Sequence, residues 1–215
     1  NWNKDADVQQ LMKEKKMPDL KAVEQYFIQR MADSLAKMNN KVLLWDEAVG
    51  SSLSPENTII FWWRHDKPEQ LKLALSKNFP VVLTPRLPFY FDFVQDSTHR
   101  VGRRWQGGFN TLKNVYNFSP ASYYRPDQAP LILGIQAAIW TERISTPDKL
   151  DHMLFPRISA LAETGWTDEK HKDYNAFEER VKSHMELYRK SKIYFYNQFI
   201  PLENPEPRIA GAKDN

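Results

Sequence analysis

With 215 residues, of which 41% are hydrophobic and 27% charged, the chain is long enough and apolar enough to build a core, and a disordered protein is excluded. The net charge of +3 is too small to predict a nucleic-acid partner, and no apolar run approaches the roughly 18 residues of a membrane span. Because the sequence has no cysteine, disulfide bonds and thiolate metal sites are excluded as well.

The first predicted element is an amphipathic helix close to the start of the sequence. Its apolar residues recur at intervals of three and four, and they are Leu20, Val23, Phe27, Met31, Leu35 and Met38. Near the other end the same spacing recurs at Phe177, Val181, Met185 and Tyr188. Each set makes one apolar stripe on a helix.

Four short apolar runs between these helices predict β-strands. They are Val42 to Trp45, Thr58 to Trp63, Pro80 to Thr84, and Leu131 to Trp140. The runs are nearly continuous and do not alternate with polar residues, which is typical of strands buried on both faces of a parallel sheet.

Helix-start signals follow the last of these strands. Thr146-Pro147 places a capping hydroxyl before a proline at the first helical position, and Phe155-Pro156 can open another helix. Alternating strands and helices predict an α/β sheet or a (β/α)8 TIM-type barrel. Since a barrel has eight strands, four would supply half of one and leave two unpaired strand edges.

Active sites of such barrels lie at the C-terminal ends of the strands. The residues at those ends are Trp45-Asp46-Glu47, Trp62-Trp63-Arg64, Phe89-Tyr90-Phe91-Asp92 and Trp140-Thr141-Glu142. Aromatic faces with a few carboxylates suit a polyhydroxylated ligand, because rings stack on apolar faces and carboxylates accept hydrogen bonds from hydroxyls. The pattern therefore favours a carbohydrate site, with packing at the top of the barrel as the alternative.

Several motifs resemble family 20 glycoside hydrolases, the β-N-acetylhexosaminidases, in the order that the family has them. They are Lys41-Val-Leu-Leu-Trp-Asp-Glu47, the strand end at Trp63, Phe89-Tyr-Phe-Asp92, Leu133-Gly-Ile-Gln-Ala-Ala-Ile-Trp-Thr-Glu142 and Leu154-Phe-Pro-Arg-Ile-Ser-Ala-Leu-Ala-Glu-Thr-Gly-Trp166. The resemblance implies hydrolysis of terminal β-linked N-acetylhexosamine from glycans, with no cofactor and no metal. It also implies substrate-assisted catalysis, in which the acetamido oxygen of the substrate attacks the anomeric carbon.

The resemblance assigns roles to six residues of this sequence. Tyr90 would be catalytic, because its hydroxyl would donate a hydrogen bond to the acetamido oxygen. The expected substrate-binding residues are Trp45, Trp63 and Trp140, which would enclose the sugar, and Asp92 and Glu142, which would accept hydrogen bonds from its hydroxyls.

The acidic pair that the family uses to cleave the bond follows a His-x-Gly-Gly motif, which this sequence does not contain. Asp46-Glu47 matches the next strand of the family instead. Residues 1–200 are therefore expected to supply roughly the last four βα units of the catalytic barrel, with residues 201–215 as a C-terminal tail. The expected partner is the N-terminal half of the same barrel, and the chain alone is expected to be inactive.

Two other interpretations remain open at this stage: a non-catalytic carbohydrate-binding fragment, and an unrelated α/β barrel whose tryptophans are packing residues. The sequence does not determine the oligomeric state. The resemblance implies a periplasmic, secreted or lysosome-like location.

The remaining polar candidates receive structural interpretations. The five histidines, at positions 65, 99, 152, 171 and 184, show no metal-ligand spacing and are predicted to lie on surfaces or helix faces. Arg100, Arg103 and Arg104 are interpreted as part of a solvated loop, and Gly107-Gly108 as a turn.

Overall fold

The computed structural model describes residues 2–207, and the part of the predicted tail at residues 208–215 lies outside them. The described residues form the α-helices α1 (Ala6–Glu14), α2 (Leu20–Lys37), α3 (Pro68–Ser76), α4 (Arg86–Phe89), α5 (Leu112–Tyr116), α6 (Pro147–Leu154), α7 (Arg157–Trp166) and α8 (Tyr174–Lys190). The strands are β1 (Val42–Trp45), β2 (Thr58–Trp62), β3 (Val81–Leu83) and β4 (Ile132–Ile135). No helix among residues 2–207 is long and apolar enough to cross a membrane.

The chain divides into two compact units. Among the described residues, the first contains residues 2–83 and 125–133, and the second contains residues 84–124 and 134–207. A four-stranded sheet with the order β1-β2-β3-β4 begins in the first unit, and β4 crosses the boundary at residue 134. The predicted α/β class is confirmed, because β1 pairs in parallel with β2, and β2 in parallel with β3.

The strands differ from prediction in burial and in length. β2 and β3, the inner strands of the sheet, have no exposed residue, and their fully buried residues alternate with half-buried ones. In contrast, Leu43 of β1 is 57% exposed and Leu133 of β4 is 55% exposed, so burial on both faces was wrong for these two strands. The predicted run from 131 to 140 was also too long, since β4 ends at Ile135.

The first predicted helix is confirmed as α2, and its apolar stripe is largely solvent-exposed. The Asp19 carboxylate accepts a hydrogen bond from the Ala22 backbone N–H and caps the helix start. Val23 is buried, but Phe27 is 55% exposed and Met31 is 42% exposed. Within the first unit, this helix therefore buries one end of its stripe.

The second unit confirms the predicted helix starts and the second apolar stripe. Thr146 caps α6 through its hydroxyl, with Pro147 as the first helical residue, and α7 begins directly after Pro156. All four stripe residues of α8 are buried, and they are Phe177, Val181, Met185 and Tyr188. The ring of Phe177 stacks on Tyr116 of α5 at 4.6 Å between centroids, which anchors α8 to the core of this unit.

Candidate active site

The strand ends of the first unit carry two of the predicted sugar-binding tryptophans. The parallel register pairs Trp45 with Phe61, so β1 and β2 end at the same edge of the sheet. The Trp45 ring is solvent-exposed and meets Phe61 edge to face, at 5.9 Å between centroids. Trp63 is half-buried and follows β2 directly. Both indoles thus lie at the edge where the chemistry of parallel βα proteins occurs.

Glu47 orients Trp63. The indole Nε1 of Trp63 donates to both carboxylate oxygens of Glu47, at 3.1 and 3.0 Å. Burial is the largest single influence and acts to raise the pKa of Glu47, but the hydrogen bond from Trp63, the other hydrogen bonds to this carboxylate and the charge of Arg64 together hold its pKa below the usual value. This carboxylate therefore acts on an aromatic side chain, whose orientation it fixes.

The neighbouring carboxyl group, Asp46, has the opposite electrostatic environment. It is fully buried, and its Oδ1 accepts a hydrogen bond from Arg64 Nε at 2.9 Å. Burial raises the pKa of Asp46 to about 7, although the positive charge of Arg64 acts to lower it. Asp46 and Glu47 are therefore adjacent carboxyl groups whose partners are Arg64 and Trp63.

Tyr90 in the second unit is held by backbone pairing. The Phe91 N–H donates to the Ala138 carbonyl at 2.7 Å, and the Ala138 N–H donates to the Phe89 carbonyl at 2.9 Å. This bridge sets the segment that contains Tyr90 beside the segment that leads to Trp140. The two rings lie 6.3 Å apart between centroids, so the structure brings together the predicted catalytic tyrosine and one predicted wall residue.

Asp92 and Glu142 are brought together by an arginine that the sequence interpretation left in a solvated loop. Arg103 Nε lies 3.2 Å from Asp92 Oδ2, and a terminal nitrogen of Arg103 lies 3.2 Å from Glu142 Oε1. These three residues line one cavity with Trp140. Burial raises the pKa of Asp92 above its usual value, and the positive charge of Arg103 acts against that rise.

A second arginine holds the loop that carries Tyr90 and Asp92. Arg157, at the start of α7, is 0% exposed. Its guanidinium donates to four backbone carbonyls, those of Phe91, Phe93, Asn110 and Met153. Burial lowers the pKa of Arg157 to about 9, and the charge of Asp92 opposes this shift, so the group stays positive at neutral pH.

The sequence interpretation missed Arg157, although a signal was present. Arg157, Ala160 and Thr164 are the buried residues of α7, and they recur at the spacing of one helix face. An arginine on an apolar helix face has to find hydrogen-bond acceptors in the core. The pattern therefore indicated a buried charge, but not which carbonyls would receive it.

One histidine differs from prediction. His171 and His184 are exposed, whereas His99 and His152 are buried. His152 lies on helix α6, which agrees with a helix-face position, but His99 lies in a buried loop, so the prediction was wrong for His99. The rings of His99 and His152 lie 4.8 Å apart between centroids. Within residues 2–207, no group of three or more histidine, cysteine, aspartate or glutamate side chains is arranged to hold a metal ion.

Comparison with known proteins supplies the family. The model of the glycosyl hydrolase family 20 catalytic domain matches residues 1–169. This chain belongs to glycosyl hydrolase family 20. A β-hexosaminidase of Vibrio furnissii is 30% identical over 169 residues, which cover 76% of this chain and 27% of that protein.

Solved family 20 structures resemble the chain in fold. The exo-β-N-acetylglucosaminidase of Vibrio harveyi, solved in complex with N-acetylglucosamine, shows 31% identity and a TM-score of 0.82, covering 91% of this chain and 31% of that chain. The β-N-acetylhexosaminidase of Bacteroides fragilis shows 28% identity and a TM-score of 0.76, covering 100% and 42% respectively. The predicted fold class, an α/β chain that supplies part of a (β/α)8 barrel, is confirmed. The chain spans less than a third of the V. furnissii and V. harveyi relatives.

Proposed function

We propose that this chain is part of an exo-acting β-N-acetylhexosaminidase that removes terminal β-linked N-acetylhexosamine from glycans. The observation that carries the proposal is the pairing of Tyr90 with Trp140 beside the cluster of Asp92, Arg103 and Glu142 in a family 20 chain. A donor hydroxyl, an apolar ring and hydroxyl-accepting carboxylates are the groups that an N-acetylated sugar requires. The family 20 relatives named above are described as hexosaminidases or glucosaminidases.

In the proposed mechanism, the acetamido oxygen of the substrate displaces the leaving group and forms a cyclic intermediate, which water then opens with net retention. Tyr90 donates a hydrogen bond to that oxygen and fixes its direction of attack. The ring of Trp140 supports the sugar and excludes water from the reacting face. Asp92 and Glu142 accept hydrogen bonds from hydroxyls of the same sugar.

In the first unit, Trp45 and Trp63 are proposed to supply apolar surface for the acetamido group. Glu47 contributes through Trp63, since both of its oxygens accept from that indole. Asp46 is paired with Arg64 in a fully buried position. Neither carboxylate is proposed as the general acid, because each is engaged in holding a neighbouring side chain.

The general acid and its partner are proposed to come from residues outside this sequence, which has no His-x-Gly-Gly-Asp-Glu motif. The N-terminal half of the same barrel is the proposed partner of this chain. Exposed apolar side chains on α2 and at Leu43 of β1 support this proposal, because such surface is normally covered by protein. We also propose an extracytoplasmic location, as the family resemblance implies.

The lack of that motif favours a second candidate, carbohydrate binding without turnover. One experiment separates the two candidates: hydrolysis of 4-nitrophenyl N-acetyl-β-glucosaminide by the intact protein as its gene encodes it, alongside equilibrium binding of N-acetylglucosamine. Hydrolysis with retained β-configuration supports the hydrolase. Binding with no detectable hydrolysis supports the binding protein, and the absence of both overturns the proposal that the site holds this sugar.

A further inference from the structure

Arg103 is fixed to the backbone of Asp92 by the fold of its loop. The Arg103 N–H donates to the Asp92 carbonyl at 2.9 Å, and the Val94 N–H donates to the Arg103 carbonyl at 3.0 Å. Gly102 allows this approach, because a Cβ there would lie 2.5 Å from Val94 Cγ1 and 3.1 Å from the Asp92 carbonyl oxygen. These backbone contacts thus fix the position of Arg103 beside Asp92.

The guanidinium of Arg103 serves two carboxylates at once. Asp92 and Glu142 each lie 3.2 Å from one of its nitrogens, and half of the Arg103 side chain remains exposed. The other cations of this region bind elsewhere: Arg143 donates to the Gly102 carbonyl, and Lys149 binds Glu206 and the Val101 carbonyl. Arg157 also interacts with the charge of Asp92, but its guanidinium donates to backbone carbonyls, so Arg103 is the one of these cations that contacts both carboxylates.

We propose that Arg103 is a specificity-determining residue that binds one sugar hydroxyl together with Asp92 and Glu142. The assignment rests on the proposed function, and it adds a donor to the two acceptors. A carboxylate can only accept a hydrogen bond and a guanidinium can only donate, whereas a hydroxyl does both. A hydroxyl placed against this cluster donates to a carboxylate and accepts from Arg103, so both of its hydrogen-bonding capacities are satisfied.

The cluster is expected to discriminate between the parent sugar and a deoxy analogue that lacks the bound hydroxyl. A sugar that lacks it leaves the charged groups of the cluster desolvated without a replacement partner, which is how polar sites reject deoxy analogues strongly. The cluster is thus expected to recognise one particular hydroxyl, while Trp140, on the same cavity, contributes apolar contact to every analogue.

The test compares Arg103→Met, Arg103→Lys and the matched control Arg104→Met in the intact protein. Arg104 is a neighbouring exposed arginine whose guanidinium donates to the His99 carbonyl and not to either carboxylate. The substrates are the 4-nitrophenyl β-glycosides of N-acetylglucosamine and of its 4-deoxy and 6-deoxy analogues. The value of kcat/KM is measured for every pair of variant and substrate.

Arg103→Met is expected to lower kcat/KM for the parent sugar about 10- to 100-fold, the range for loss of a hydrogen bond to a charged group. For the deoxy analogue that lacks the recognised hydroxyl, the same substitution is expected to change kcat/KM less than about threefold. Arg103→Lys should recover part of the loss, and Arg104→Met should behave as wild type. An equal loss on all three sugars, or none, overturns the assignment, because damage to folding cannot distinguish hydroxyls.

Binding separates this inference from the proposed function. If the wild-type protein binds N-acetylglucosamine without hydrolysis, the hydrolase proposal fails, and the dissociation constants of the same variants for the parent and deoxy monosaccharides decide the role of Arg103. If it hydrolyses the parent sugar but Arg103→Met shows no selective loss, the hydrolase stands and the assignment to Arg103 is wrong. If it does neither, both are overturned.

Discussion

Tyr90 offers the sharpest test at the scale of a single residue, because its backbone is fixed by the bridge to Ala138 and its proposed role needs one hydroxyl. Tyr90→Phe is expected to lower kcat of the intact protein by roughly 10² to 10³, the usual effect of losing one preorganised donor. KM should change less, since the ring and its contact with Trp140 are retained. Steady-state kinetics on 4-nitrophenyl N-acetyl-β-glucosaminide measure both constants.

Tyr174→Phe is the matched control for this substitution. The hydroxyl of Tyr174 donates to Glu178 within α8, and its loss should leave kcat unchanged. An unaltered kcat in Tyr90→Phe would remove Tyr90 from the catalytic residues, and an equal fall in both variants would point to a general effect of removing a tyrosine hydroxyl.

Arg157 is expected to be the most sensitive residue for stability in the second unit. Arg157→Met leaves buried carbonyls at Phe91, Phe93 and Asn110 without their donor, so the free energy of unfolding should fall by at least about 3 kcal/mol. The free energy of unfolding of Arg157→Lys should lie between those of Arg157→Met and wild type, because an ammonium group has fewer donors than a guanidinium and cannot form its planar set of hydrogen bonds. Urea denaturation followed by circular dichroism measures the difference.

The comparison for Arg157 is Arg125→Met. Arg125 is exposed and binds the nearby Asp127 carboxylate, so its loss should barely change stability. Similar destabilisation in Arg125→Met and Arg157→Met would contradict the assigned importance of the buried carbonyls.

Arg157 and Arg103 show which residue contacts could not be predicted from the sequence. Tyr90, Asp92 and Glu142 could be proposed as candidates, because their positions at strand ends and the family resemblance both depend on short local motifs. The contacts of Arg157 could not, because its acceptor at Phe93 lies 64 positions away in the sequence. For Arg103 the partner Glu142 is 39 positions away, and a short basic run looks the same whether its charges face water or carboxylates.

At the scale of elements, α2 and α8 separate what periodicity can predict from what it cannot. Both helices were predicted from apolar spacing, and both are present. Yet the α8 stripe is buried at Val181 and Met185, whereas α2 leaves Phe27 and Met31 exposed. Spacing determines that a helix has an apolar face, but the neighbouring elements determine whether that face is covered.

Strand boundaries show the same limit. The end of β1 was predicted correctly, because Asp46 follows Trp45 and starts a 3-10 helix. The apolar run from Leu131 to Trp140 gives no such signal where β4 ends at Ile135. Ala138 lies beyond that end and forms an isolated β-bridge with Tyr90. The apolar residues after Ile135 therefore belong to a segment with a single bridge and not to a continuous strand.

Two buried histidines make the second unit sensitive to acid. His99 and His152 pack against Tyr196, and burial, together with nearby positive charges, lowers the pKa of His99 to about 2 and of His152 to about 4. In the unfolded chain both titrate near 6.5. As pH falls below about 6.5, the unfolded state binds protons that the folded state does not, so stability falls. The contribution of His152 is complete near pH 4, where the folded His152 begins to titrate, and the contribution of His99 continues to about pH 2.

The expected loss is about 3 kcal/mol for His152 between pH 6.5 and 4, at roughly 1.4 kcal/mol per pKa unit. The free energy of unfolding measured across this range should therefore depend less on pH in His152→Phe than in wild type. His184→Phe, on an exposed face of α8, should keep the wild-type slope. Identical slopes in His152→Phe and wild type would show that His152 does not carry this dependence.

At the scale of the whole molecule, the exposed apolar surface is consistent with a chain that matches only part of a family 20 enzyme. The match covers 31% of the V. harveyi enzyme, and four strands make up half of an eight-stranded barrel. Leu43 on β1 and Phe27 on α2 are exposed where an isolated domain would bury large apolar groups. Covering these side chains would stabilise the first unit by about 25 cal/mol for each Å² of apolar surface removed from water.

This argument predicts the effect of Phe27→Lys in the intact protein. If the proposed remainder of the barrel covers α2, the lysine removes a buried aromatic ring and places a charge against apolar surface. The free energy of unfolding should then fall by at least about 2 kcal/mol, measured by urea denaturation. The control is Leu187→Lys, since Leu187 is 53% exposed on α8, outside its buried stripe, and should tolerate the charge. Equal stability of the two variants would mean that the face of α2 stays open to solvent in the intact protein.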